Sequence, residues 1–519
     1  MEGVLKGLEP AGVMGFFEKL CQIPHPSYQE KAISDYLVAF AKERNLEYYQ
    51  DTLYNVVIIK EASPGYEQAE PVIIQGHMDM VCEKDADCTK DMTKEGLDLE
   101  IEGDFIRAKG TTLGGDDGIA VAMGLAILDD DEIPHPRLEL VITVSEEVGM
   151  EGANGIDLSM LRGKKLLNLD SEEEGVFLAG CAGGGVVTLT YPLDGTGSAA
   201  ESKEKVDQEI TAAHERQTEP AVSGEAGSRI LEVRIGGLRG GHSGTEINKG
   251  RGNANILLGD LLYRAYREVP FSLISLQGGS KDNAITREAE ARLVSTDPGQ
   301  LQEVLSRIAV EITEDYREKE PQLLFVIGET EEFSEAGEEL QETFGGQVPE
   351  EITGKFLSFL QELPYGVIAM CQGMPDLVET SLNLGIVETC DHKIRLSYCV
   401  RSSVEEAFEE LTGRLEKTAL DYGADYSIKG RYPAWEFAEV SPLRQQMAEI
   451  YREMFGAEPQ VDVMHAGVEC GQLSQKIPGL DCVSFGPNLY DIHTPQERMS
   501  ISSVQRTYAF VLEILKRTK

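Results

Sequence analysis

GTTLGGDDG, residues 110–118, sets two adjacent aspartates, Asp116 and Asp117, after a glycine pair and directly before the apolar run Ile119–Leu128. That run has the length and composition of a buried helix. Around it lie short runs rich in β-branched and aliphatic residues, Asn55–Lys60, Val72–Gln75, Leu138–Val144 and Lys165–Leu169, which read as strands. Strands alternating with helices indicate an α/β domain whose central, mostly parallel sheet is largely buried.

The residues just beyond each run carry the chemistry. VIIQ leads into Gly76-His77-Met78-Asp79, LELVITV into Ser145-Glu146-Glu147, and LLNL into Asp170. Near the end, Cys482–Phe485 leads through a Gly-Pro turn to His493. Open α/β sheets place their sites beyond the carboxyl ends of strands, so residues far apart in sequence are expected to meet along one rim. Two divalent ions about 3.5 to 4 Å apart need a bridging carboxylate, terminal His and Asp/Glu ligands, and a nearby base. His77 is suited to binding one ion, with Asp79 bonded to its other ring nitrogen and fixing the tautomer. Adjacent glutamates at a strand end point in different directions, so one can bind metal while the other faces water. On these grounds either Asp116 or Asp117 could be the bridge.

The other histidines have ordinary readings at this level. His25 lies in the connector Ile23-Pro24-His25-Pro26-Ser27 between helices at 13–20 and 29–44; His135 is flanked by prolines, and His392 falls in a region that reads as strand. There is no HExxH helix and no GxSxG elbow, which disfavours a single-zinc protease of that type and an α/β-hydrolase.

Composition narrows the rest. Forty-seven basic and ninety acidic residues among 519 give a formal charge of -43, which repels nucleic acid and anionic membranes. Nine cysteines with no Cys-x-x-Cys pair fit reduced thiols in a cytoplasmic protein. No apolar stretch reaches about 18 residues, and MEGVLKGLEP is not a signal peptide.

The length calls for more than one domain. Gly183–Gly185 is not followed by GKS or GKT and reads as a turn or hinge, and residues 194–228, with His214, read as a polar surface insertion. From Ile230 to about Lys429 a strand, a helix (253–267), a strand (291–294) and a helix (300–316) precede strands at 382–387 and 393–400, a helix (404–422) and a strand near 426–429. The order of elements is that of a duplicated layout. Residues 1–187 and 431–519 are therefore assigned to a catalytic domain, and 188–430 to an inserted α+β lid.

GHMDMV, GTTLGGDDG, TVSEEVGMEGA, LNLDSEEEG, the GGHSG segment, HAGVECG and SFGP followed by His resemble the cytosolic aminoacyl-histidine (Xaa-His) dipeptidases. These form part of the dinuclear zinc metallopeptidase group that includes carnosinase, tripeptidase T and aminoacylase. The resemblance covers nearly the whole chain. It implies one ion held by His77 and Asp170 and another by Glu147 and His493, with Asp116 bridging through a cis peptide to Asp117. It further implies Glu146 as general base, Asp79 orienting His77, His242 stabilising the oxyanion, and Asn283 and Arg401 contacting substrate. The family often has Asn at the position of Asp117, and the 194–228 insertion is longer than its pattern. His465, Gly467 and Glu469 lie in a family motif near the site. Zinc is the expected ion, with manganese and cobalt as alternatives, and a homodimer through the lid is implied. The expected activity is hydrolysis of Xaa-His and related dipeptides through a metal-activated water. The alternatives are a tripeptidase, an N-acyl amino acid amidohydrolase with the same metal centre, or a metal-free binding protein.

Overall fold

The aliphatic runs form the centre of an eight-stranded sheet. Its order is Glu47–Gln50, Val56–Lys60, Leu138–Thr143, Val72–His77, Lys165–Asn168, Asp481–Ser484, Val176–Cys181 and Gln460–Met464. The structure is a computed structural model that describes residues 3–193, 230–330, 348–371 and 376–519; the 194–228 segment and His214 lie outside the described residues. The four strands from Leu138–Thr143 to Asp481–Ser484 run parallel, pairing His77 with Thr143, Gln75 with Asn168, and Asn168 with Ser484. Their carboxyl ends therefore come to one rim. The outer pairs at the Glu47–Gln50 edge are antiparallel.

Helix Gly115–Asp129 is buried over nearly its whole length, as an all-round apolar helix must be. It packs on helix Ala11–Cys21 and on strand Val72–His77. At its carboxyl end Lys60 Nζ reaches across to the carbonyls of Leu128 at 3.0 Å and Asp130 at 2.9 Å, satisfying acceptors that the helix end leaves open. A small four-stranded sheet, Leu489–Tyr490, Arg498–Ser500, Phe105–Ala108 and Leu99–Glu102, carries the loop that holds His493.

The chain divides into two compact units, Met1–Cys181 with Tyr432–Lys519, and Ala182–Arg431; the boundaries expected from sequence are 187/188 and 430/431. In the second unit a sheet runs Leu324–Thr330, Ile230–Gly236, Ala289–Val294, Ser272–Gly278, Val378–Cys390, Lys393–Ser402, Gly183–Pro192 and Asp425–Tyr432. Its pairings are antiparallel wherever register is defined, and helices 254–268, 298–315, 350–362 and 405–421 complete an α+β unit. Helix-strand-strand-strand-helix-strand occurs in 254–330, and helix-three strands-helix-strand in 350–432, which is the duplicated order.

Two local expectations are corrected. Gly183–Gly185 is no turn: the three glycines open strand Gly183–Pro192, paired with Ser402, Arg401 and Val400. The neighbouring strand supplies the hydrogen bonds that hold glycines extended. His392 is not in a strand but in the two-residue turn between Val378–Cys390 and Lys393–Ser402, with φ of 60°, because the hairpin must reverse there. Among the described residues no helix is long and apolar enough to cross a membrane, and none of the nine cysteines is in a disulfide.

Candidate metal centre

His77 ends its strand with the ring buried. Its Nδ1 lies 3.0 Å from the Asp79 carbonyl and 3.4 Å from Asp79 Oδ1, so Nδ1 carries a proton and Nε2 is left to face the site. Nε2 lies 3.1 Å from Asp116 Oδ1 and 3.6 Å from Asp170 Oδ1. On the other side, His493 Nε2 lies 3.2 Å from Asp116 Oδ2 and 3.1 Å from Glu147 Oε1. Each oxygen of Asp116 thus faces a different imidazole. His77, Asp116 and Asp170 form one cluster of donor atoms within 4.8 Å of one another, and Asp116, Glu147 and His493 form a second that shares Asp116. The Asp116–Asp117 peptide is cis.

The Asp79 carboxylate does more than face His77. It accepts from Ser27 Oγ at 2.8 Å, from the Glu146 amide at 3.0 Å and from the Glu147 amide at 3.4 Å. It therefore ties the glutamate turn to the His77 strand. Ser145, just before that turn, has φ of 53°, a costly conformation for a residue with a Cβ. Glu30 holds it there, accepting from the Ser145 amide at 3.0 Å and its hydroxyl at 2.7 Å. Asp117 belongs to neither donor cluster and accepts from the His77 amide at 3.2 Å.

The electrostatics call for cations. The ion-pair partners of Asp79, Asp116, Glu147 and Asp170 among the described residues are His77 and His493 alone. Burial opposes charge on His493, yet Asp116 and Glu147 push it up to about 11. Burial likewise works against His77, which Asp116, Asp170 and Asp79 hold well above its ordinary value. Burial lifts Glu146 well above the carboxylate range, with Asp170 and Glu147 adding to it, and lifts Asp117 in the same way. These upward shifts reflect a surplus of carboxylates that, among the described residues, no side-chain cation other than the two imidazoles meets. A set of imidazole and carboxylate donors is what zinc and other divalent ions take, and the two donor clusters fit one ion each.

His242, Asn283 and Arg401 belong to the second unit. His242 pairs with Ala284 in a two-stranded ribbon, and the Ser243 amide donates to the Asn283 carbonyl at 2.8 Å, so the structure brings His242 and Asn283 together. His242 Nδ1 accepts from the amides of Gly244 and Thr245, each at 3.3 Å, which puts the ring proton on Nε2. Arg401 is buried on strand Lys393–Ser402, opposite Ser381 and Gly184. His25 is buried beside the site strand, its carbonyl accepting from the Met80 amide at 3.2 Å.

Sequence reasoning passed over Ser27, Glu30 and Glu497. Glu497 accepts the amides of residues 113–116. Their partners lie 52 to 384 residues away in the chain, so no local pattern marks them.

Residues 73–517 match the profile of peptidase family M20/M25/M40. The chain is 34% identical over 514 residues to the cytosol non-specific dipeptidase of Escherichia coli (strain K12), covering 99% of this chain and 98% of that one. It matches the crystal structure of the aminoacylhistidine dipeptidase of Vibrio alginolyticus with a TM-score of 0.80 and 33% identity, covering 99% and 98% of the two chains. A tripeptidase of Staphylococcus aureus, at 16% identity and a TM-score of 0.52 over 98% of each chain, shares the fold.

Proposed function

Because the chain belongs to peptidase family M20/M25/M40, and is therefore a peptide hydrolase, we propose that it is a dipeptidase that cleaves a single amide bond at a dinuclear metal centre. The observation that carries this reading is Asp116, whose two oxygens face His77 and His493 separately. His77, Asp116 and Asp170 would hold one ion, and Asp116, Glu147 and His493 the other. When bound, the pair supplies an acidified water and a Lewis acid for the scissile carbonyl. We assign zinc as the ion, on the imidazole and carboxylate set.

Glu146 lies outside both donor clusters, on the turn fixed by Asp79 and Ser145. Its carboxyl is raised by burial first and by Asp170 and Glu147 next, which suits a group that takes a proton and passes it to the leaving amine. His242, with its proton on Nε2, is a neutral donor suited to the developing oxyanion. Arg401 offers the planar fork that pairs with a peptide carboxylate, and Asn283, tied to the His242 turn, supplies a further polar contact. A dipeptide presents both a free ammonium and a free carboxylate, and the dipeptidase names of relatives at 33 and 34% identity favour that substrate class, histidine-ended dipeptides included. The inserted unit would act as lid and as the dimer contact, in a cytoplasmic enzyme.

Glu146→Gln tests the assignment. Two ions per chain should remain while kcat falls by about 10²- to 10⁴-fold, the usual worth of a general base; loss of metal in step with turnover would remove Glu146 from that role. A panel of dipeptides, β-Ala-His, tripeptides and N-acetyl amino acids fixes the substrate class, and rapid cleavage of the last alone would make the protein an amidohydrolase.

A further inference from the structure

Glu497 is the last residue of the connection that carries His493. Residues 491–497 join Leu489–Tyr490 to Arg498–Ser500 in the small sheet. The Glu497 side chain is buried, at 2% exposure, and points at the start of the helix that bears Asp116. Oε2 accepts from the Leu113 amide at 2.7 Å and the Gly114 amide at 3.1 Å; Oε1 accepts from the Gly115 amide at 2.8 Å and the Asp116 amide at 3.5 Å. Four consecutive amides converging on one carboxylate form an anion nest, set just before the kink at Asp116 and Asp117, where the backbone leaves helical geometry.

The glycine pair makes that approach feasible. Gly114 has φ of 67°, and a Cβ on Gly115 would stand 3.3 Å from Glu497 Oε1 and 3.0 Å from Leu489 Cδ2. The same loop returns at its other end to place His493 Nε2 3.2 Å from Asp116 Oδ2. Asp116 is thus gripped twice by one short connection, through its amide by Glu497 and through its carboxylate by His493.

We propose that Glu497 is a positioning residue for the metal centre, fixing the backbone of Asp116 and locking its distance from His493, so that both donor clusters are assembled before an ion arrives. The proposal rests on the reading of Asp116 as the bridge. Its two oxygens are matched by four amides and, among the described residues, by no side-chain cation, so the amide isostere Gln keeps the volume but sets an NH2 against backbone donors.

The test is titration of metal-free protein with Zn²⁺ by calorimetry and with Co²⁺ by visible absorption, for the wild type, Glu497→Gln and Glu497→Asp. Glu497→Gln should bind two ions with affinity lowered about 10- to 100-fold, the range for groups that orient ligands. Its Co²⁺ spectrum should change, KM should be unaltered at saturating metal, and kcat should largely recover there. Glu497→Asp, which keeps the charge, should lie between Gln and wild type. Wild-type affinity and spectrum in Glu497→Gln would overturn the proposal, as would a loss of folded protein with unchanged affinity in the folded remainder. If Glu497→Gln does not fold, Gly115→Ala, which crowds Oε1 from the other side, should show the same affinity loss, and unchanged affinity there is equally fatal. A wild type that binds only trace metal would instead sink the metal-centre reading, and this inference with it.

Discussion

Glu469 sits beneath the site with its side chain wholly buried. Its Oε2 accepts from Gln75 Nε2 at 2.5 Å and Thr143 Oγ1 at 2.6 Å, while Oε1 has no partner among the described residues. A buried carboxylate with an idle oxygen favours the protonated form, and burial pushes Glu469 up to about 7 from 4.5. The stability this lends is fully present below about 4.5, declines as pH rises, and is gone above about 7. At about 1.4 kcal/mol per unit the whole effect is at most about 3.5 kcal/mol. Glu469→Gln fixes the neutral shape, so in chelator the variant and wild type should have matching stability at pH 5, and the variant should be the more stable at pH 8. Trp435, the sole tryptophan, is buried near Cys470 and Leu473 in the same cluster, and its fluorescence on unfolding measures the difference. Equal curves at both pH values would contradict the assignment. At this scale, legibility followed distance from a strand end. His77, Asp79, Glu146, Glu147 and Asp170 stand directly after aliphatic runs, which is a local signal. Glu30 and Glu497 act on backbone amides of distant segments, and nothing in their own surroundings differs from an exposed acid. His493 lies in an irregular loop and was reached through resemblance.

Strand Val72–His77 and helix Gly115–Asp129 deliver His77 and Asp116 to one another, and the closeness of the two elements depends on Gly76. A Cβ there would run into Asp117 Oδ2 and stand 2.7 Å from Ala120 Cβ. Gly76→Ala should therefore push the helix off the strand, costing about 1 to 3 kcal/mol as an overpacked core substitution. It should also reduce metal affinity, because His77 Nε2 and Asp116 Oδ1 would part from 3.1 Å. Thermal unfolding and metal titration read the two effects, and a stable variant with wild-type affinity would show the contact to be soft. The parallel strands were legible as continuous apolar runs because both their faces are covered. In the second unit Ser272–Gly278, Leu324–Thr330, Gly366–Met370 and helix Glu350–Glu362 escaped notice. Antiparallel strands with one face covered dilute the apolar signal; Leu324 and Val326 are exposed. Gly183–Gly185 shows the same limit, since pairing across the sheet overrides the preference of glycine for turns.

Across the whole molecule, each unit has its own apolar core. Leu5 to Leu515 supply one within the first unit, and Val187 to Ala424 another within the second. Every proposed ligand lies in the first unit, so metal binding stabilises that unit directly, by about 4 kcal/mol when free metal is a thousand times its Kd. The acidic site adds to the contrast. Without ions, Asp116, Glu147 and Asp170 crowd two imidazoles in a chain of formal charge -43, where self-repulsion already disfavours the compact state. Removing metal with a chelator should therefore lower the unfolding transition reported by Trp435, which lies in the first unit. A second calorimetric transition, silent in tryptophan fluorescence, should keep its midpoint. Added salt should recover part of the loss by screening the carboxylates, and added Zn²⁺ all of it. A chelator that moved both transitions equally, or neither, would be incompatible with a metal centre built from the first unit alone.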